Sequence, residues 1–257
     1  MLRKRLIPRI LVKKINSRHV SVISRNFNSF EVVGQPISQF KIMEANMADE
    51  ISIININRDG SSPKDEFLSL LSRIVGSSTT PICAGGGIDT TRDVDEFMGT
   101  GIEKIVIPIL PDLTNLKTVD YAMKKYGKQS IQVSLDFKFD NADYWIGKSN
   151  KTMTVRDIFS TIQRYLNNGA GEIVLCDITK DGSRSNLNLM LLSPIKQVFH
   201  VPILVSGGAY SLSSFSEAFL SGADGVISGT YFAKRDHSLL QLRSSLASHG
   251  VSVRNLG

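Results

Sequence analysis

The sequence predicts an α/β protein folded as a single closed (βα)8 barrel of the TIM type, built from two related half-barrels. Three observations predict it. Short β-branched runs alternate with helix-period stretches eight times along 257 residues. The runs are apolar almost from end to end, as in a parallel sheet buried on both faces. Paired features also recur at one long offset. Pro81 of "PICAGGGI" and Pro202 of "PILVSGGA" lie 121 positions apart, as do Gly101 of "GTGIEKIVI" and Gly222 of "LSGADGVIS". Glu50 and Glu172 are 122 apart, as are Asp59-Gly60 of "INRDGS" and Asp181-Gly182 of "ITKDGS". Such a period is too long for a solenoid and divides the chain into half-barrels of about 1–125 and 126–257 within one domain, 1–257. An open doubly wound sheet is the runner-up architecture.

Taken in order, the strands begin at Leu6-Ile7, Ile51–Ile54, Pro81–Cys83, Lys104–Ile107, Ile131–Leu135, Glu172–Leu175, Ile203–Val205 and Gly225–Ile227. Between them "PISQFKIMEANM", "DEFLSLLSRIV", "LKTVDYAMKKYG" and "VRDIFSTIQRYLNNG" carry helical spacing, and the last ends in the glycine expected just past a helix. "FDNADYWIGKSNK", after the fifth strand, reads as an extra hairpin. The basic start "MLRKRLIPRILVKK" lacks the apolar core and cleavage site of a signal peptide and reads as a first strand flanked by charges.

Composition narrows the function classes. The length allows one large core. No window is apolar enough for a membrane span. Two cysteines, Cys83 and Cys176, fall inside strands, which suits reduced thiols and a cytoplasmic protein. The net charge of +6 favours anionic small molecules or an acidic partner, but no basic stripe with interleaved aromatics points to nucleic acid. No metal-ligand spacing or cofactor motif stands out, so no metal and no cofactor are expected.

The chemistry of such a barrel belongs at the C-terminal strand ends. Gly86 and Gly87 fall at that rim in the first half. Asp181, Gly182, Gly207, Gly208, Gly229 and Thr230 fall there in the second. Glycine lets the backbone approach a ligand, and the loops after the last two strands of such barrels often hold phosphate. Turn-making alone would explain one Gly-Gly pair; two at symmetric positions point to phosphate. The counterpart of Gly229-Thr230 in the first half is Pro108-Ile109, which offers neither a proline N–H nor a hydroxyl. Asp136 interrupts an apolar run at the end of the fifth strand, where an ionised group is expensive without a purpose, and is the candidate acid or base. Capping of the next loop or pairing with Lys138 is the structural alternative. Aligning "LDFK" with "ILVK" sets Leu11 against Asp136.

Together "PICAGGGI", "GAGEIVL", "ITKDGSRS", "VSGGA" and "EAFLSGADGVISG" resemble the cyclase subunit of imidazole glycerol phosphate synthase, the HisF family of histidine biosynthesis, over the whole chain. The resemblance implies a lyase-type barrel serving a glutamine amidotransferase. A HisH-like glutaminase docks on its N-terminal face, and ammonia enters through a gate of four charged side chains, here Arg5, Glu50, Lys104 and Glu172. It makes Asp49 a docking residue and Asp136 the second catalytic aspartate. It also puts Leu11 where the first is expected, Asn55 for a strand-two aspartate, Pro108-Ile109 for the first phosphate pair, and Ile15-Asn16-Ser17 for an Asp-Gly turn. Leucine in "IPRILVK" resembles a branch that delivers ammonia for amidation of bacterial surface-polysaccharide sugars with a sugar amidotransferase. Three further readings stand beside it: a true histidine-pathway cyclase with an altered first half, a non-catalytic docking and ammonia-conducting barrel, and a sister sugar-phosphate isomerase. The last needs paired aspartates and no gate.

Overall fold

Each of the eight predicted core runs is a strand, and the sheet they form closes on itself. The computed structural model describes residues 3–57, 64–140, 143–147, 152–234 and 239–254. The barrel strands are β1 (Arg5–Ile15), β4 (Ile51–Asn55), β5 (Ile82–Gly85), β6 (Lys104–Pro108), β7 (Ile131–Asp140), β10 (Glu172–Asp177), β11 (Ile203–Ser206) and β12 (Gly225–Ser228). They pair in parallel in that order, and β12 returns to β1. This is a single (βα)8 barrel. The Asp59-Gly60 half of the repeat lies outside the described residues.

Outside the barrel stand α1 (Pro36–Ala45), α2 (Lys64–Val75), α3 (Thr91–Met98), α4 (Leu116–Tyr126), α5 (Val155–Asn167), α6 (Leu192–Val198), α7 (Leu212–Leu220), α8 (Thr230–Lys234) and α9 (Leu239–Ser248). The internal repeat reaches the helix caps. Thr90 caps α3 with Asp93 at the third helical position, and Ser211 caps α7 with Ser214 in the same place, again 121 residues on. Each cap pairs two of the backbone donors that a helix start leaves unsatisfied.

Alternation along the strands sorts side chains into two cores. Leu6, Ile10 and Val12 of β1 join the main core between sheet and helices. Ile7 points the other way and meets Val174, Leu204 and Ile227 in a separate cluster inside the barrel.

Two additions decorate the C-terminal rim. The predicted hairpin after the fifth strand is present: β7 runs on to Asp140, pairs antiparallel with β8 (Asp143–Ile146), and β8 pairs with β9 (Thr152–Met153). The other addition was not read from the sequence. β1 extends past the barrel and turns through Asn16 and Ser17, at φ 47° and 63°, into β2 (Arg18–Arg25), which pairs with β3 (Ser29–Gly34). Two consecutive left-handed residues make the hairpin turn whose twist matches that of its strands.

Candidate functional site

The barrel has two distinct ends. At the N-terminal mouth, Arg5 opens β1, Lys104 opens β6, Glu172 opens β10 and Glu50 directly precedes β4. Starts of parallel strands share one mouth, so these side chains converge. Arg5 Nη1 lies 3.2 Å from Glu50 Oε2, and Arg5 Nη2 pairs with Glu172 Oε1. Lys104 Nζ bridges both acids, 2.7 Å from Glu50 Oε2 and 3.2 Å from Glu172 Oε2. All four charges are therefore joined in one ring. Gln132 of β7, absent from the sequence reading, completes it by donating to Glu172 Oε2 at 2.6 Å.

Burial alone would push the Glu172 carboxyl up, but the charges of Arg5 and Lys104 and hydrogen bonds from Arg5 and Gln132 outweigh it and hold it below its ordinary range. The Lys104 ammonium is the mirror case. Burial favours losing its proton, while Glu50 and Glu172 hold it there. Both groups are thus fixed in their charged forms.

Asp49, the docking residue implied by the resemblance, is largely buried. Its side chain is only 7% exposed. Oδ1 sits 2.7 Å from Arg243 Nη2, and Oδ2 accepts from the Leu6 amide. It ties α9 to the first strand.

At the opposite end, one recess gathers the second-half rim. Asp181, Gly182, Gly207, Gly208, Gly229 and Thr230 line it, together with Arg9, Leu11, Arg184 and Tyr210. The β2–β3 hairpin walls one side and meets the loop after β10: Ser24 Oγ donates to Asp181, and the Asn26 amide donates to the Asp181 carbonyl at 3.0 Å. Burial pushes the Asp181 carboxyl up, against the hydrogen bond from Ser24 and the charge of Arg9.

Gly86 and Gly87 follow β5, across the barrel from β11, and do not line this recess. The local geometry is still repeated. Gly86 has φ 95° and backs onto the Asn55 carbonyl; Gly207 has φ 90° and backs onto the Asp177 carbonyl. A Cβ at either position would overlap that oxygen, so both demand glycine for conformation and for room.

The loop after β6 bonds largely to its own surroundings. The Ile109 amide donates to the Ser134 carbonyl at 2.8 Å, and the Leu110 amide to Tyr165 Oη at 2.8 Å. Asn115 Nδ2 donates to the Pro108 carbonyl at 2.8 Å. With proline supplying no donor, the backbone of this loop is engaged internally.

Asp136 is half-buried on β7, where Ser134 Oγ donates to its Oδ1 at 2.6 Å. It does not line the recess, although its charge reaches Asp181 and Cys176, the residue paired with it on β10. Leu11 does line the recess. Cys83 and Cys176 are buried free thiols, each pushed up by desolvation. Among the described residues no cluster of three His, Cys, Asp or Glu side chains could hold a metal ion, and no helix is long and apolar enough to cross a membrane.

Residues 5–238 match the family model described as histidine biosynthesis protein. Among curated relatives, a putative imidazole glycerol phosphate synthase subunit hisF2 of Prochlorococcus marinus (strain MIT 9313) is 31% identical, over 99% of this chain and 99% of that protein. The imidazole glycerol phosphate synthase subunit HisF of Gluconacetobacter diazotrophicus is 31% identical, over 99% of this chain and 97% of its own. That of Thermotoga sp. (strain RQ2) is 29% identical, over 99% and 98%.

Proposed function

The chain belongs to the histidine biosynthesis protein family, and from that premise we propose that it is the HisF-like, cyclase-type subunit of an imidazole glycerol phosphate synthase. It takes ammonia from a HisH-like glutaminase at the N-terminal mouth and uses it on a phosphorylated ligand at the C-terminal rim. The observation that carries the reading is the closed ring of Arg5, Glu50, Lys104 and Glu172 at one end of a barrel whose other end holds the glycine-lined recess. Four charges at a barrel mouth are poorly explained by stability, because burying ions costs about as much as pairing them returns. As a gate they have a use. The ring blocks bulk water, and one lysine swinging aside opens a gap wide enough for neutral ammonia. Above it, Ile7, Val174, Leu204 and Ile227 form an apolar layer. Such a layer passes ammonia and penalises the ammonium ion, since a bare charge in apolar surroundings costs many kcal/mol.

At the rim, the backbone of Gly207, Gly208 and Gly229 and the Thr230 hydroxyl bind one phosphoryl group. Asp136 serves as general acid or base once the ligand is seated, with Asp181 beside it.

A second reading is carried by Leu11, which lines the recess where the family resemblance expects a carboxylate. On it, the barrel delivers ammonia for amidation of a surface-polysaccharide sugar, with a sugar amidotransferase as third component, or it conducts ammonia without chemistry of its own.

Reconstitution with the glutaminase separates them. The synthase bisphosphate is supplied with glutamine or ammonium salt, and imidazole product and glutamate are both measured. Product formation from either nitrogen source supports the first reading. Stimulated glutamine hydrolysis with the bisphosphate untouched supports the second.

A further inference from the structure

Arg9 lines the rim recess from the inward face of β1. β1 alternates, so Arg5, Ile7, Arg9 and Leu11 share its inward face. Arg5 is in the ring, Ile7 in the apolar layer, and Arg9 lies above that layer among the residues lining the rim recess. Its guanidinium crosses the interior. Nη1 reaches to 4.0 Å from Cys176 Sγ on β10, which is separated from β1 by both β11 and β12. A thiol is a weak acceptor. The Arg9 Nε is buried and has no hydrogen-bond partner, and Arg9 forms no ion pair among the described residues. The contrast with Arg5 is direct: one arginine of this strand is paired twice, and the next inward one is left with donors to spare.

A cation with an orphaned donor inside a barrel is unfavourable unless something supplies the missing charge. The Asp181 carboxylate lies within electrostatic reach of it, but takes its hydrogen bond from Ser24. The guanidinium presents a planar fork of donors suited to an oxyanion. Gly229 places the recess wall directly against this residue, since a Cβ there would stand 3.3 Å from the Arg9 carbonyl. On the far side of the barrel, the loop after β6 has its Ile109 and Leu110 amides already engaged.

We infer that Arg9 is an anion anchor on the floor of the rim recess, which clamps a second oxyanion of the ligand, a carboxylate or phosphoryl group, in addition to the phosphoryl held by the rim glycines. The ligand is thus doubly anionic and is held by the second-half side and the barrel floor instead of by two opposite rims. This deepens, and rests on, the reading of the rim as a ligand pocket, but it needs neither the glutaminase nor turnover.

The test is calorimetric binding of three probes to wild type, Arg9→Met and Gly208→Glu: glycerol 3-phosphate, 3-phosphoglycerate and fructose 1,6-bisphosphate. Wild type should bind at least one doubly anionic probe about tenfold or more tightly than glycerol 3-phosphate, the scale of one good charge-assisted contact. Preference for 3-phosphoglycerate identifies a carboxylate; preference for the bisphosphate identifies a phosphoryl group. Arg9→Met should erase that preference while keeping glycerol 3-phosphate binding. Its melting temperature without ligand should match or exceed that of wild type, because a buried donor without a hydrogen-bond partner has been removed. Arg9→Gln serves as second variant if the methionine protein does not fold. If Arg9→Met keeps the full preference, or wild type shows none, the anchor is overturned. If Gly208→Glu binds every probe as wild type does while Arg9→Met does not, the anchor stands and the rim phosphate reading falls.

Discussion

Gln132 Nε2 donates to Glu172 Oε2 at 2.6 Å, and the two residues face each other as direct partners in the β7–β10 ladder. Both are buried. The amide therefore orients the acid that Arg5 and Lys104 share, and removing it leaves a buried carboxylate short of a donor. Gln132→Leu should cost about 2 kcal/mol, the range for a lost hydrogen bond to a charged group, and lower the melting temperature by several degrees. Thermal unfolding checks it. An unchanged midpoint would mean that Gln132 only fills space.

The ring should also give stability an acid-sensitive component. The Glu172 carboxyl is held below its ordinary value of 4.5 in the folded chain. Its contribution is therefore complete above that value and is lost as pH falls through the lower folded-state value. Melting temperatures of wild type and Glu172→Gln, measured from neutral pH down to the acid limit, should differ most near neutrality and begin to converge only as the pH falls below about 4.5. A constant difference across the range would contradict the ion-pair account.

Lys104 is the ring member that bridges both acids through a single flexible ammonium. Lys104→Ala should leave glutaminase binding intact but lower the ratio of rim product formed to glutamine consumed. Arg5→Ala should act in the same direction, with added loss of stability because Glu172 loses its closest cation. The ratio is measured with and without ammonium salt. If both variants keep the wild-type ratio, the ring is a structural plug.

Leu11 cannot transfer a proton. Wild-type turnover of the synthase bisphosphate should therefore fall below that of a barrel carrying both carboxylates by roughly 10²–10⁴-fold, the usual worth of one general acid or base. Leu11→Asp should recover at least tenfold of it. Stopped or continuous assay of the imidazole product with ammonium salt reports this directly. No gain in a folded variant would place the proton transfers elsewhere.

Phosphate binding should be one-sided. Gly208 lies 2.8 Å, by the Cβ it lacks, from the Asn186 carbonyl and has φ 104°, so a glutamate there both strains the loop and sets a carboxylate at the recess. Glycerol 3-phosphate binding should drop beyond detection in Gly208→Glu and stay unchanged in Pro108→Ala, measured by titration calorimetry. Loss in the proline variant instead would move the site to the first half.

Some of what the sequence reading missed had a local signal. Arg9 interrupts an apolar strand, the same signature that singled out Asp136, yet only Asp136 was read as chemistry. The β2 strand alternates, and Asn16-Ser17 is a plausible hairpin turn, but both sit where a barrel ordinarily places a loop. Gln132 had no signal at all, since a neutral amide at a strand start is unremarkable until its ladder partner is known. Asp136 itself was found, but its orientation was not. Ser134 holds its carboxylate, and the recess opens beside it instead of around it.

The sequence by itself determined the barrel strands, four of the helices and the mouth to which four charges belong, because side-chain alternation and helical period are local properties of the chain. It also showed the twofold repeat, which needs only a ruler. Tertiary structure alone decided which charges are paired and which are not. Arg5 and Arg9 are four residues apart on one face of one strand, with the same chemistry and the same spacing to their neighbours. Closure of the barrel brings Glu50 and Glu172 into ion pairs with the first and sets a thiol 4.0 Å from the second. Pairing energies depend on distances set by strands 45 to 167 residues away, and no local pattern encodes those.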